Sequence, residues 1–109
     1  MAYPINITPD AEKDLKQIKQ YIARQLGAPS TALAIICALR SGISDLANHA
    51  DSIMYIPDEP YHTYKIKRTI VRNYYIYFRV DKEENTVHIL NVIYSRRDQK
   101  NRAKSMKLK

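Results

Sequence analysis

The chain has 109 residues, 45% of them apolar, and a formal net charge of +7, which suits one domain with a modest core and makes a second core unexpected. Charge is unevenly spread: residues 1–63 hold five Lys/Arg against seven Asp/Glu, a net of −2, and residues 64–109 hold thirteen against four, a net of +9. A positive field confined to one part of a small domain implies an anionic partner such as nucleic acid, an acidic protein or a membrane surface, and a single cysteine excludes an internal disulfide and a cysteine-rich metal site.

In chain order, Tyr3 to Ile7 alternates as a short strand, with Pro4 near its start. Thr8-Pro9-Asp10 then opens a helix: Thr8 caps, Pro9 takes the first helical position, and Asp10, Glu12 and Asp14 favour the positive end of the dipole. Ala11, Leu15, Ile18, Ile22 and Leu26 form one apolar stripe. Gly27 is placed as the left-handed residue past the helix end, and Pro29 or Ser30 starts a second helix striped by Ala32, Ile35, Ile36, Leu39, Ile43 and Leu46. The short connection makes the two an antiparallel hairpin. Cys37 within that pattern reads as a buried, inert thiol. The apolar run Ala32–Leu39 is too short for a bilayer span and has no cationic leader, so no membrane is expected and the cytoplasm is the default location. Residues 48–63, with Pro57 and Pro60, read as a loop carrying Met54, Asp58, Glu59 and His62.

Three strands follow, turning near Val71–Asn73 and again across Asp81–Asn85. Strict alternation puts Ile66, Ile76, Phe78 and Val80 on a buried face and Lys65, Lys67, Tyr75, Tyr77 and Arg79 on the other. The last run is apolar on both faces, Val87, Ile89 and Ile93 against Leu90 and Val92, and reads as a central strand ending in Tyr94, Ser95, Arg96 and Arg97. The tail, residues 98–109, is basic, and its pattern fits either a short helix or disorder. The expected fold is a single α+β domain over residues 1–109: an N-terminal strand, an antiparallel helix hairpin and a three-stranded antiparallel meander, with helices on one sheet face and the other face open.

That order, together with Tyr64-Lys65-Ile66-Lys67, Asn73-Tyr74 at a turn, Tyr77-Phe78-Arg79-Val80-Asp81 and the ending Tyr94-Ser95-Arg96-Arg97-Asp98, resembles the RelE/ParE superfamily of bacterial toxins from type II toxin–antitoxin modules. The resemblance covers nearly the whole chain. It implies growth inhibition, and a cognate acidic antitoxin as partner. RelE-like members cleave mRNA on the ribosome with strand lysines and arginines. Lys65 and Lys67 match the strand-two lysines and Arg96 the strand-end arginine, whereas Tyr75 stands where a strand-three arginine would be, and the tail has no Tyr or His. ParE-like members, which poison DNA gyrase, commonly finish the last strand with a small residue followed by Arg-Arg-Asp, as in Ser95-Arg96-Arg97-Asp98. A relative that binds an antitoxin without killing is the third reading.

For mRNA cleavage the expected catalytic cluster is Lys65, Lys67, Arg79 and Arg96, with Tyr75, Tyr77, Tyr94 and Arg97 holding the substrate: cations stabilise a pentacoordinate phosphate, a lysine of lowered pKa takes a proton, and tyrosines stack on bases. Any single exposed strand lysine more often only solvates its strand. His88 reads as a packed histidine beside Leu90 and Val92. With two glycines and neither a phosphate loop nor a paired ligand motif, no metal or nucleotide cofactor is expected.

Overall fold

The computed structural model describes residues 2–97. The order is β1 (Ile5–Ile7), α1 (Pro9–Gln20), a π-helical turn (Tyr21–Gln25), α2 (Pro29–His49), a 3-10 turn (Ala50–Ser52), β2 (Lys67–Val71), β3 (Tyr74–Asp81), β4 (Thr86–Tyr94) and a closing 3-10 turn (Ser95–Arg97). The strands make one mixed sheet in the order β1-β4-β3-β2, with β1 parallel to β4 and the other pairs antiparallel. This is the expected α+β architecture. The basic tail lies outside the described residues.

Local chemistry sets the helix ends. Thr8 Oγ1 accepts from Ala11 N at 3.3 Å, and Pro9 occupies the first turn, where no amide partner is needed. At the other end Leu26 N donates to Tyr21 O at 3.1 Å, and Gly27 takes φ 61. The wider π turn rotates the apolar stripe off course. Leu26, expected on the buried face, is instead 59% exposed.

α1 and α2 cover one face of the sheet. Ala11, Leu15, Leu39, Ile43, Leu46 and Ala50 pack there on Ile76, Phe78, Val87, Ile89 and Val92. Gly42 lets α2 approach β2 closely, because a Cβ built on it would lie 2.6 Å from Val71 Cγ2. By length and composition alone, α2 and the turn after it are long and apolar enough to cross a membrane. Ala32, Leu39, Ile43 and Leu46 on its inner side are nevertheless buried within the protein. Cys37, expected inside, is exposed; it falls between Ile36 and Ala38, off the stripe that meets the sheet.

Two expectations about the sheet's faces are corrected. First, a two-residue turn, Arg72 and Asn73 with φ 52 and 68, pairs Val71 with Tyr74 and therefore Lys67 with Phe78. Residues paired across a sheet share a face, so Lys67 lies on the helix side, and Ile66, on the far side of the pleat, joins Tyr77. Second, β4 carries a bulge at Leu90: Tyr77 pairs with Asn91 but Phe78 with Ile89. The extra residue inverts the alternation beyond it, so Val92 packs with the helix-side core and Ile93 with the opposite cluster.

The face expected to be open is partly sealed by a second, smaller core. The segment after α2 folds back so that Ile56 N donates to Ile66 O and Ile66 N to Tyr61 O, both at 3.0 Å, while Tyr55 bridges to Lys67. Ile56, Tyr61 and Ile66 thereby close over Tyr77 and Ile93. A one-core reading missed this because residues 48–63 show no period: each apolar side chain there is aimed by turns rather than by a regular element.

Candidate functional site

The residues expected to form one cluster are held in separate places. Lys65 is exposed in a turn at φ 57, its amide donating to His62 O at 3.1 Å. Lys67 is 5% exposed on the helix side, where its Nζ donates to Ala50 O at 2.8 Å and lies 5.0 Å from the Tyr55 ring centroid. That carbonyl belongs to the C-terminal end of α2, where the helix dipole favours a cation. Burial lowers the Lys67 pKa, and Asp51 acts in the opposite direction. Through this contact Lys67 ties β2 to the end of α2.

Arg79 is half-buried near the hairpin end of β3 and borders a cavity of about 580 Å³ shared with Asp10, Asp81, Glu83, Glu84 and His88. Arg96 is exposed at the opposite end of the sheet. Between the Arg79–His88 pair and the Tyr74–Tyr94 pair lie five residue steps, or roughly 17 Å of strand. Tyr77 is fully buried, stacked on Tyr61 with ring centroids 5.5 Å apart. Tyr94 is half-buried beside Tyr74 at 5.3 Å. Tyr75 is also half-buried, and the Arg68 guanidinium lies 4.2 Å from its centroid. The backbone of Arg97 completes the final 3-10 turn.

Arg68 was missed by the sequence reading. It pairs with Tyr77 on the outer face, near both Tyr75 and Tyr77, so the β2 cation on that face is Arg68 rather than Lys67. A two-residue turn at Arg72-Asn73 was the signal that would have found it. His88 was expected among apolar neighbours, yet its ring nitrogens face polar groups: Asn6 Nδ2 at 2.9 Å on one side, and Glu84 and Asp81 on the other.

The more spacious concave surface is a groove of about 700 Å³ at the Arg96 end. It arises because β1 stops at Ile7, opposite Ile89, so from Leu90 onward β4 has no strand on that side. α1 takes the place of one: Asp14 Oδ2 accepts from Val92 N at 2.9 Å and from Asn91 Nδ2 at 3.0 Å. Beyond this contact the π turn and the start of α2 stand away from the sheet. Ile18, Ile22, Ile35 and Val92 line the apolar part, Tyr21 and Leu26 are exposed on the wall, and Arg72 and Arg96 border it with positive charge. Such a surface suits an amphipathic, acidic segment better than a small substrate.

A family model described as the ParE toxin of the type II toxin–antitoxin system parDE matches residues 5–99. No protein of curated function matches in sequence. Among solved structures, the chromosomal ParDE toxin–antitoxin system of P. aeruginosa superposes with TM-score 0.70 at 20% identity, over 85% of this chain and 96% of that one. The RelBE2 toxin–antitoxin complex of Mycobacterium tuberculosis gives 0.60 at 20% identity, over 86% and 99%. The free E. coli toxin RelE, in mutant form, gives 0.60 at 13%, over 87% and 85%. At these identities the structural likeness shows a shared fold.

Proposed function

Since the chain belongs to the ParE toxin family of type II toxin–antitoxin systems, within the RelE/ParE superfamily, we propose that it arrests bacterial growth by occupying DNA gyrase in the cytoplasm rather than by cutting mRNA. The observation that carries this reading is the dispersal of the four cations. A phosphate undergoing transfer is stabilised by donors about 3 Å from its oxygens. Lys67 is engaged with Ala50 beneath the sheet, and Arg79 and Arg96 border different cavities at its two ends. The arrangement suits a binding toxin, which needs a shaped and charged surface but no general base. Tyr77, stacked under Tyr61, is likewise unsuited to receive a base.

The cognate antitoxin is assigned the groove between the π turn and the end of β4. Its apolar wall would take an amphipathic segment, and Arg72 and Arg96 would draw in acidic side chains; neutralisation then follows from covering the Arg96 end of the sheet.

Induced expression in bacteria tests both parts. The expected result is growth arrest with double-strand DNA breaks trapped on gyrase and no transcript cleavage at translated codons. Codon-mapped cleavage without trapped gyrase would replace the proposal with the mRNA-cleaving alternative, and unimpaired growth with a folded, soluble chain would favour a non-toxic antitoxin binder. Reversing charge at both rims, Arg72→Asp with Arg96→Asp, is expected to weaken antitoxin binding at least tenfold in a titration. Asp at position 72 tolerates the left-handed turn. Undiminished affinity would move the antitoxin to another surface.

A further inference from the structure

At the hairpin end of the sheet, away from the groove, three potential metal ligands converge. His88 Nε2 lies 3.3 Å from Glu84 Oε1 and 3.7 Å from Asp81 Oδ2, and all three groups offer ligand atoms within 4.8 Å of one another. Around a tetrahedral zinc ion, oxygen and nitrogen ligands about 2.0–2.2 Å from the metal stand about 3.3–3.5 Å apart. The spacing therefore needs only small side-chain movements to close on a cation. We propose that Asp81, Glu84 and His88 form a divalent transition-metal site, with one imidazole nitrogen and two carboxylate oxygens.

His88 is oriented from a different strand. β1 runs parallel beside β4 with Asn6 opposite His88, and the Asn6 amide reaches Nδ1 at 2.9 Å. Turning that amide over exchanges donor for acceptor, so the ring can carry its proton on Nδ1 and present the Nε2 lone pair to a cation. An outer partner of this kind fixes the ring and tautomer of metal-binding histidines. Asp81 is fixed as well: Oδ1 accepts from Glu83 N at 3.0 Å and Glu84 N at 3.1 Å, leaving Oδ2 directed at His88. Two of the three ligand side chains are partly covered, with 17% of His88 and 21% of Asp81 exposed, while Glu84 reaches in from the surface. The adjoining cavity has room for water and for Asp10 or Glu83 as a further oxygen donor. One imidazole with two carboxylates is a borderline ligand set that suits zinc or a neighbouring first-row divalent ion.

The inference does not depend on which target the toxin has. Its test is calorimetric titration of the full chain with Zn²⁺ after dialysis against a chelator, with His88→Gln and Glu84→Gln alongside. Both variants would first be checked for unchanged circular dichroism; Glu84 is 67% exposed, so its variant removes a ligand without disturbing the core. The expected result is one ion per chain, bound at least tenfold more weakly by each variant and unaffected by His49→Gln or His62→Gln, the other two histidines. Absence of saturable uptake by the parent chain overturns the site, as does uptake that either variant leaves unchanged or that His49→Gln or His62→Gln weakens.

Discussion

Replacing Tyr77 with alanine is expected to destabilise the protein by about 3–5 kcal/mol, the range for removing a large aromatic from a packed interior. Tyr77 is fully buried between the sheet and the returning segment, stacked on Tyr61 and joined by Ile56, Ile66 and Ile93. Its loss would open a cavity in the smaller core and remove the main support for residues 53–66. In a domain of this size each kcal/mol corresponds to about 4–8 °C of melting temperature, so thermal or urea denaturation reads the effect easily. Tyr77→Phe keeps the ring and is expected to cost only about 1 kcal/mol. If Tyr77→Ala melted with the parent protein, the second core would not contribute to stability and the outer face would be accessible after all.

The second large effect concerns Lys67. A catalytic lysine on an open face could be changed to alanine with loss of toxicity and little loss of stability. The position found here reverses that expectation. Lys67→Ala removes a charged donor from Ala50 O and leaves the end of α2 less well satisfied, at a cost of about 1.5–3 kcal/mol. Ile53 N also approaches that carbonyl, at 3.4 Å, so the oxygen is not wholly orphaned and the lower half of the range applies better. Growth inhibition should then fall only in proportion to the folded fraction and recover at lower temperature. A Lys67→Ala protein that melts normally yet is inert would restore this residue to a direct functional role.

The elements themselves were legible because their signals are local. Thr8-Pro9 marks a helix start, Gly27 marks its end, and apolar spacing marks both helices and all three strands of the meander. The faces of those strands were less legible because they depend on counting. With Phe78 placed correctly inside, a two-residue turn at Arg72-Asn73 forces Lys67 inside too. A turn spread over Val71–Asn73 leaves that parity open, and alternation carried back through Tyr64 then chose the wrong side. Lys65 at φ 57 lies in a turn before β2, where strand alternation has no force. The bulge at Leu90 had the same effect on Ile93, since a run apolar on both sides gives no warning of an inserted residue. Convergence of Asp81, Glu84 and His88 was invisible for a different reason: it needs the hairpin turn and the parallel placement of Asn6, neither of which a one-dimensional spacing expresses.

With helices packed below, residues 53–66 folded above and a paired neighbour on either side, β3 is enclosed in every direction across its middle. Solvent deuterium can reach the amides of Ile76 to Phe78 only when two unrelated coverings separate and two ladders part together, which approaches unfolding of the whole molecule. These amides should therefore report global stability, while the rim around Arg72 and Arg96 can exchange and rearrange at far smaller cost, leaving the groove free to adapt to a partner around an unyielding centre.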